Sequence, residues 1–269
     1  MRVVSICPSN TELLAYLDAL PLLVGIDDYS DWPESIKSLP RLGPDLSIRM
    51  DDVEKLKPDL VLASLSVPGM EKNIDELNKR KIPYIVLDPQ NFEDIANNLI
   101  EVSRAIGMEE IGIRKSAAFL NQLNEFKKIA STIENRPSLY WEWWPKPVFT
   151  PGKINWLTKV SEYVGAYNIF ADIEEASIQT DWDDVATRNP DYICLAWVGV
   201  SHQKVKPELV QKRPDWNQLP AVKNNRILVL EEYLYCRPSP RLIKGIEKLG
   251  KILHPAAFEQ LEIEPLFDK

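Results

Sequence analysis

The chain has 269 residues, enough for one large domain or for two of about 130 residues, and either arrangement can bury a substantial core. Hydrophobic residues make up 45% and charged residues 27%, which excludes a disordered chain. A net charge of −8 at pH 7, without any run of basic residues, argues against nucleic acid as a partner.

Short apolar runs alternate with helical patterns along the chain, which predicts an α/β fold with mostly parallel strands. The predicted strands are Val3 to Ile6, Leu23 to Ile26, Leu60 to Ala63, Tyr84 to Leu87, Ser138 to Trp141, Tyr192 to Ala196 and Ile227 to Leu230. No apolar stretch approaches the length of a membrane span. The first strand leaves no room for a signal peptide, so the sequence as written predicts a cytoplasmic protein, or an extracytoplasmic, membrane-associated one if a leader was removed.

The segment after the first strand has the pattern of a capping box, Ser9-Asn10-Thr11-Glu12. This pattern predicts a helix with Ser9 as its N-cap and with Glu12 reaching back from the third helical position. The helix is expected to end before Pro21.

A stretch without proline, residues 109–133, has apolar residues at helical spacing: Phe119, Leu123, Phe126, Ala130 and Ile133. At about 1.5 Å per residue, this helix would span about 40 Å and could bridge two lobes. The predicted organisation is an N-terminal α/β lobe at 1–107, an interlobe backbone helix at 108–135 and a C-terminal α/β lobe at 136–269.

An internal repeat is consistent with two lobes. Residues 51–65, DDVEKLKPDLVLASL, align without gaps to residues 183–197, DDVATRNPDYICLAW, with five identical positions. Each copy predicts a short helix, a Pro-Asp turn and a buried strand. Two explanations remain open at this point: chance convergence on a common helix-turn-strand unit, or one related lobe in each half.

Enzyme motifs are missing: no glycine-rich nucleotide loop follows the first strand, and there is no nucleophile elbow. The only histidines, His202 and His254, are predicted in a polar loop and near a helix end. Cys7, Cys194 and Cys236 are too far apart for a metal site and are predicted to be reduced structural thiols. The chain is therefore predicted to be neither an enzyme nor a metal-ion binder.

Tryptophan is unusually frequent, with 8 residues, and all but Trp32 lie between Trp141 and Trp216. Strand alternation cannot bury all of Trp141, Trp143 and Trp144, so one or two indoles should emerge at the carboxyl end of their strand, where open α/β sheets bind ligands. The predicted binding surface combines the aromatic residues that follow three strands: Trp143, Trp144, Trp197, Tyr233 and Tyr235. The alternative is packing against helices and loops, which is expected for Trp156, Trp182 and Trp216.

Several segments together resemble a known family: RVVSICPSNTELL at the start, then VGIDDYSDWP, LKPDLVLA, FTPGK, RNPDYI and RPSPRLIKGI. In this order they are similar to the helical-backbone, class III substrate-binding proteins of ABC transporters, and closest to the cobalamin-binding, BtuF-like branch. The resemblance implies two Rossmann-like lobes joined by a single long helix. It also implies a monomer with no intrinsic cofactor, which holds a corrinoid or similar flat chelate in an aromatic cleft between the lobes for import.

The resemblance also implies roles for individual residues. Tyr29 and Trp32 would face the ligand from the N-terminal lobe, while Asn10, Ser66 and Glu142 would meet amides at the rim of the ring. Ser64 stands where the cobalamin binders carry a ring-stacking Trp, which allows a different ligand. A ferric siderophore or haem is the alternative, with Lys146, Lys153 and Arg237 as candidate cationic groups for a siderophore.

Docking to an ABC permease in this family uses one exposed acidic residue on each lobe. Glu71 matches the first, but Cys236 occupies the second position, so Glu231 or Glu232 would have to substitute. The rival hypothesis is a leaderless intracellular protein that carries or senses a cofactor without a permease.

Overall fold

The N-terminal sheet forms from apolar runs rich in β-branched residues in the computed structural model, which describes residues 1–259. Its four strands are β1 (Val3–Ser5), β2 (Leu23–Ile26), β3 (Leu60–Ser64) and β4 (Tyr84–Leu87), in the order β2-β1-β3-β4. All neighbours pair in parallel, and the central β1 and β3 are buried along their whole length. The four predicted strands are confirmed to within one residue.

The C-terminal sheet is also parallel, in the order β11-β10-β5-β8. Its strands are β5 (Ser138–Glu142), β8 (Tyr167–Asn168), β10 (Tyr192–Leu195) and β11 (Ile227–Val229). A separate antiparallel sheet contains β6 (Trp144–Pro145), β7 (Val148–Pro151) and β9 (Ser177–Thr180). The three predicted strands are confirmed, whereas β8 and the antiparallel sheet were not predicted because they lack a long apolar run.

Helices connect the strands of each sheet. Those of the first half are α1 (Pro8–Tyr16), α2 (Met50–Lys55), α3 (Glu71–Arg80), α4 (Phe92–Ala105) and α5 (Glu109–Ser131). Those of the second half are α6 (Trp156–Tyr163), α7 (Trp182–Arg188), α8 (Pro207–Gln211), α9 (Pro220–Lys223), α10 (Glu232–Tyr235), α11 (Leu242–Leu253) and α12 (Pro255–Phe258). Within residues 1–259, none of these helices combines the length and apolar character that crossing a membrane requires.

The long helix α5 joins the two lobes. The chain divides into one unit of Met1–Leu120 with Pro238–Pro240, and a second of Asn121–Arg237 with the described residues from Arg241. The change from the first unit to the second thus falls inside α5. Its buried positions include Phe119, Leu123, Phe126 and Ala130, the spacing that the sequence predicts, and the helix ends two residues before Ile133.

The capping-box prediction is wrong. Helix α1 starts one residue earlier, at Pro8, and its N-cap residue Cys7 makes no side-chain capping bond. Proline suits the first helical position because its φ is preset and its missing N–H would have no partner there. The Glu12 carboxylate is buried and accepts a hydrogen bond from Ser239 Oγ at 2.5 Å instead of capping the helix.

The internal repeat corresponds to the same unit in both lobes. One copy forms α2 and β3, and the other forms α7 and β10. The aligned residues Lys57 and Asn189 both adopt a left-handed backbone, with φ of 47° and 48°. The order β2-β1-β3-β4 corresponds strand for strand to β8-β5-β10-β11. These matches support a related lobe in each half.

The identical aspartates of the repeat explain part of its conservation between the lobes. Asp59 accepts a hydrogen bond from the backbone N of Arg2 at 2.6 Å, and Asp191 accepts one from the backbone N of Ser138 at 2.8 Å. In each lobe the aspartate therefore ties the strand of the repeat to the beginning of the first strand. This shared contact fixes the start of the parallel pairing.

The repeat also yields a prediction about stability. Lysine in the left-handed region is strained by its Cβ, whereas asparagine adopts this conformation more readily. Lys57→Asn, which copies the other lobe, is expected to raise the free energy of unfolding by about 0.5 kcal/mol. Urea unfolding followed by circular dichroism measures the change. The reverse variant Asn189→Lys should lower stability by a similar amount, and an equal response of both variants in one direction would contradict the explanation.

Candidate ligand-binding surface

The carboxyl edge of the C-terminal sheet brings two aromatic segments side by side. Strand β5 ends at Glu142 and continues into Trp143, while β10 continues into the segment from Ala196 to Val198. Ala196 N donates to Glu142 O at 3.0 Å, and Val198 N donates to Trp143 O at 3.1 Å. Ligands of open α/β sheets bind at this edge.

An exposed apolar surface results at this edge, formed by Trp143, Trp144 and Val198 and called here the indole surface. Trp144 is 43% exposed and Val198 38%, while Trp143 is half-buried and its ring lies 5.9 Å from that of Trp156. Trp141, by contrast, is fully buried. The prediction that some indoles of this run emerge while others are buried is confirmed.

The polar atoms of the two indoles differ in their partners. Trp144 Nε1 donates to Lys146 O at 3.2 Å, within the turn that connects β6 to β7. Trp143 Nε1 is buried, and no atom of residues 1–259 accepts a hydrogen bond from it. An unpaired buried donor costs about 1–3 kcal/mol, so this indole nitrogen lowers the stability of the surface around it.

Helix α10 lies against the same edge. Trp156 Nε1 donates to Tyr235 O at 2.8 Å, and Cys236 Sγ donates to Ala196 O at 3.1 Å. These bonds hold α10, which carries the half-buried Tyr233, against the carboxyl edge of the C-terminal sheet. The Arg241 guanidinium lies 4.8 Å from the centre of the Tyr233 ring. Tyr233 remains a candidate ligand contact.

Two predicted ligand contacts are corrected by the structure. Glu142 has no exposed surface, because its carboxylate is fully occupied by Tyr140, Trp197 and Arg213. Tyr235 is also fully buried, and its hydroxyl donates to Gly245 O at 2.9 Å. Both side chains support the surface from behind, since neither can be reached without unpacking the core.

Two further predicted contacts have little free surface. Trp197 and Arg237 are each 8% exposed. The Trp197 indole donates to Glu142, and the Arg237 guanidinium pairs with Glu232 at 3.0 Å. Trp216 packs in the core as the alternative interpretation expected, and its Nε1 donates to Trp182 O at 3.1 Å.

On the N-terminal lobe, Tyr29 is 50% exposed in the turn after β2. The buried carboxylate of Asp27 holds this turn by accepting hydrogen bonds from Tyr29 N at 2.7 Å, Ser30 N at 3.0 Å and Ser30 Oγ at 2.5 Å. Burial raises the pKa of Asp27 to about 6, and the charge of Asp45 adds to this effect against the lowering by the three hydrogen bonds. The position of Tyr29 therefore depends on a carboxyl group that is costly to ionise.

Trp32 has different surroundings. It lines a mostly apolar groove of about 550 Å³, together with Ala15, Asp18, Leu20, Pro21, Pro33, Ser35, Ile36 and Leu39. Ala15 and Asp18 lie at the C-terminal end of α1, the end opposite to the carboxyl edge of the sheet. The structure thus places the Trp32 side chain in this groove, which does not favour its predicted role beside Tyr29.

Small polar groups occupy the carboxyl edge of the N-terminal sheet. Ser64 Oγ donates to Ser66 Oγ at 2.9 Å and accepts from Ser66 N at 3.1 Å, and Ser66 is half-buried. Asn10 is buried and donates from Nδ2 to Ala63 O at 2.9 Å. Ser66 therefore remains a candidate for polar ligand contacts, whereas Asn10 supports the strand.

The predicted docking residues differ in their exposure. Glu71 is exposed at the start of α3, and its Oε2 accepts from Gly69 N at 2.7 Å. Glu232 pairs with Arg237 and its side chain is only 18% exposed. Glu71 has the accessibility that docking requires, and its role there stays a prediction.

The cysteines and His254, the side chains most suited to nucleophilic or acid–base chemistry, are held in unreactive protonation states or in structural contacts. Burial raises the pKa of Cys7 to about 11 and raises the pKa values of Cys194 and Cys236 as well, which keeps all three as thiols at neutral pH. Burial lowers the pKa of His254, whose Nε2 lies 3.2 Å from Gly165 O. Within residues 1–259, no three His, Cys, Asp or Glu side chains are grouped so that they could hold a metal ion.

Comparison with known proteins identifies the family. A family model described as a periplasmic binding protein matches residues 3–234. The chain belongs to the periplasmic binding protein family. It is 29% identical over 266 residues to an uncharacterized ABC transporter substrate-binding lipoprotein of Bacillus subtilis, covering 96% of this chain and 82% of that one. It is 26% identical over 249 residues to a vitamin B12-binding protein of Vibrio campbellii, covering 92% and 87%.

Solved structures agree with the fold of this family member. The periplasmic vitamin B12 binding protein BtuF of Vibrio cholerae superposes with a TM-score of 0.77 at 22% identity, covering 97% of this chain and 98% of that one. The IsdE protein of S. aureus, complexed with heme, gives a TM-score of 0.82 at 18% identity, covering 94% and 98%. The chain is a two-lobed substrate-binding protein of the ABC import type and not an enzyme, as predicted.

Proposed function

We propose that this substrate-binding protein binds a corrinoid, or a similar flat chelate, and delivers it to an ABC permease. The observation that carries the proposal is the indole surface at the carboxyl edge of the C-terminal sheet, with Trp144 exposed beside the half-buried Trp143. The vitamin B12-binding relatives support the ligand class.

The chemistry of the indole surface suits a broad, mostly apolar ring. Two neighbouring indoles and Val198 offer a large apolar area with few rotatable bonds, so little conformational entropy is lost on binding. The chelate is cargo in this proposal, and the protein carries no cofactor of its own.

Quenching of tryptophan fluorescence tests the proposal. Wild-type protein is titrated with cyanocobalamin, cobinamide, hemin and a ferric hydroxamate, with correction for absorption by each ligand. We expect a corrinoid to quench at micromolar concentration or below, and Trp144→Ala to weaken its binding at least tenfold, about 1.4 kcal/mol, because the exposed ring is lost.

The matched control is Tyr167→Ala. Tyr167 is 50% exposed but pairs with Ser138 at the opposite edge of the same sheet, so its removal should leave the affinity unchanged. If only hemin or only the ferric hydroxamate binds tightly, that chelate, and not a corrinoid, is the ligand of this protein. Failure of all four ligands to bind, or equal effects of the two alanine variants, would contradict the proposal.

A further inference from the structure

A buried ion pair lies directly behind the indole surface. Glu142, the last residue of β5, receives Arg213 Nη1 on Oε2 at 2.6 Å and Arg213 Nη2 on Oε1 at 2.7 Å. The side chains are 0% and 4% exposed, respectively. The remaining acceptor sites of the carboxylate take Tyr140 OH at 2.8 Å and Trp197 Nε1 at 3.1 Å.

The Arg213 guanidinium also lies over two indole rings. Its central carbon lies 4.9 Å from the ring centre of Trp182 and 4.5 Å from that of Trp216. Cation–π contacts of this kind strengthen when water is excluded. The pair therefore has one fixed geometry, because the bidentate fork and the two indoles together define the orientation of the arginine.

The hydrogen bond from Trp197 to Glu142 connects this ion pair to the carboxyl edge of the C-terminal sheet. Trp197 is flanked by Ala196 and Val198, whose backbone N–H groups donate to Glu142 O and Trp143 O. The indole bond to Glu142 Oε1 adds a side-chain link to these two backbone bonds. One carboxylate thus fixes the segment that places Val198 beside Trp143.

A contribution to stability does not by itself explain why a buried ion pair is present at this position. A buried ion pair is often no more stabilising than apolar side chains of the same volume, because desolvation cancels much of the attraction between the charges. An apolar pair, however, would give Trp197 no acceptor, and its indole could turn. The location of the pair, one residue before the indole surface, links it to the site.

We propose that Glu142 is a positioning residue that sets the geometry of the indole surface through its bond to Trp197, with Arg213 holding the carboxylate in place. The inference rests on the proposed ligand-binding role of that surface. Glu142 acts without touching the ligand, in place of the direct contact that the sequence predicted.

Two charge-neutral double variants isolate the acceptor oxygen. Glu142→Gln with Arg213→Met keeps an oxygen for Trp197, whereas Glu142→Met with Arg213→Met does not. Cyanocobalamin titration should show at least tenfold weaker binding to the second variant than to the first, since misplaced contact groups lose affinity steeply. Arg188→Met is the matched control. The Arg188 guanidinium lies over the ring of Phe170, 4.2 Å from its centre, and Arg188 ends the helix that precedes β10. The affinity of this variant for cyanocobalamin should equal that of wild type.

A second measurement needs no ligand. With 5-fluorotryptophan incorporated, the ¹⁹F resonances of Trp143 and Trp144 should shift between the two double variants and stay in place in Arg188→Met. If the Met–Met variant does not fold, Trp197→Phe removes the same bond from the other side and should shift the same resonances. Unchanged resonances, or equal affinities of the double variants, would overturn the positioning role. Absence of cyanocobalamin binding by wild type would instead refute the corrinoid proposal, while the resonances still decide the positioning.

Discussion

Replacing Arg213 alone with methionine is expected to lower the free energy of unfolding by about 3–5 kcal/mol. Arg213 supplies two of the four hydrogen bonds to the Glu142 carboxylate, which has no exposed surface. Methionine is a flexible apolar side chain of similar length that can keep contact with Trp182 and Trp216, so the main loss is the partner of a buried charge rather than packing volume. Urea unfolding, followed by tryptophan fluorescence and circular dichroism, measures the change.

Adding Glu142→Gln as a second substitution tests whether the unpaired charge of Glu142 causes the loss of stability. Added to Arg213→Met, it removes the uncompensated charge and keeps an acceptor for Trp197, so most of the lost stability should return. Arg188→Met removes an arginine whose side chain is 23% exposed and whose partner Asp184 is accessible, so its cost should be clearly smaller. A similar loss in Arg188→Met and Arg213→Met, or no recovery in the double variant, would show that unpaired charge is not the cause.

The lobes and their strands could be predicted because the signals are local. The apolar run Leu60 to Ala63 has the length of a buried strand and follows a Pro-Asp turn, and the helical spacing of Phe119, Leu123 and Phe126 predicts one apolar helix face. The repeat added the correspondence between lobes, since Asp59 and Asp191 make the same contact. Short strands such as β8 and β9 pair with β5 and β7, which lie about 30 residues earlier in the chain, and they had no such local signal.

The site was harder to predict because function there depends on which side chains are paired. Glu142 looked like a rim contact, but its partner Arg213 is 71 residues away, in a segment without periodicity. One signal was available: a carboxylate at the end of the apolar strand Ser138–Glu142 needs a cationic partner if it is buried, and Arg213, three residues before Trp216, lies in the same lobe. The capping box failed for a similar reason, because Glu12 is bound to Ser239, far along the chain.

Asp27→Asn is expected to remove a pH dependence of stability that amounts to about 3 kcal/mol. The ordinary pKa of the carboxyl group is 3.8, and burial raises the pKa of Asp27 to about 6 in the folded protein. Between these values the folded state binds more protons than the unfolded state, so this group's contribution increases stability as the pH falls from 6 to 4. Above pH 6 the buried charge is a constant cost, which asparagine avoids while its oxygen still accepts from Tyr29 N and Ser30 N.

The comparison between variant and wild type isolates this group from all other titrations. Urea unfolding at intervals from pH 4 to pH 8 should show the Asp27→Asn variant more stable than wild type above pH 6, with the difference vanishing near pH 4. The charges facing the carboxyl group come from Asp45 and from Arg41, whose Nη1 donates to Asp27 O at 3.0 Å, and both remain in the variant. Asp28→Asn changes the exposed neighbour, which accepts from Gly43 N at 3.1 Å, and should follow the wild-type curve. A difference between Asp27→Asn and wild type that stays constant across this range would mean that the turn carrying Tyr29 tolerates the ionised carboxylate without cost.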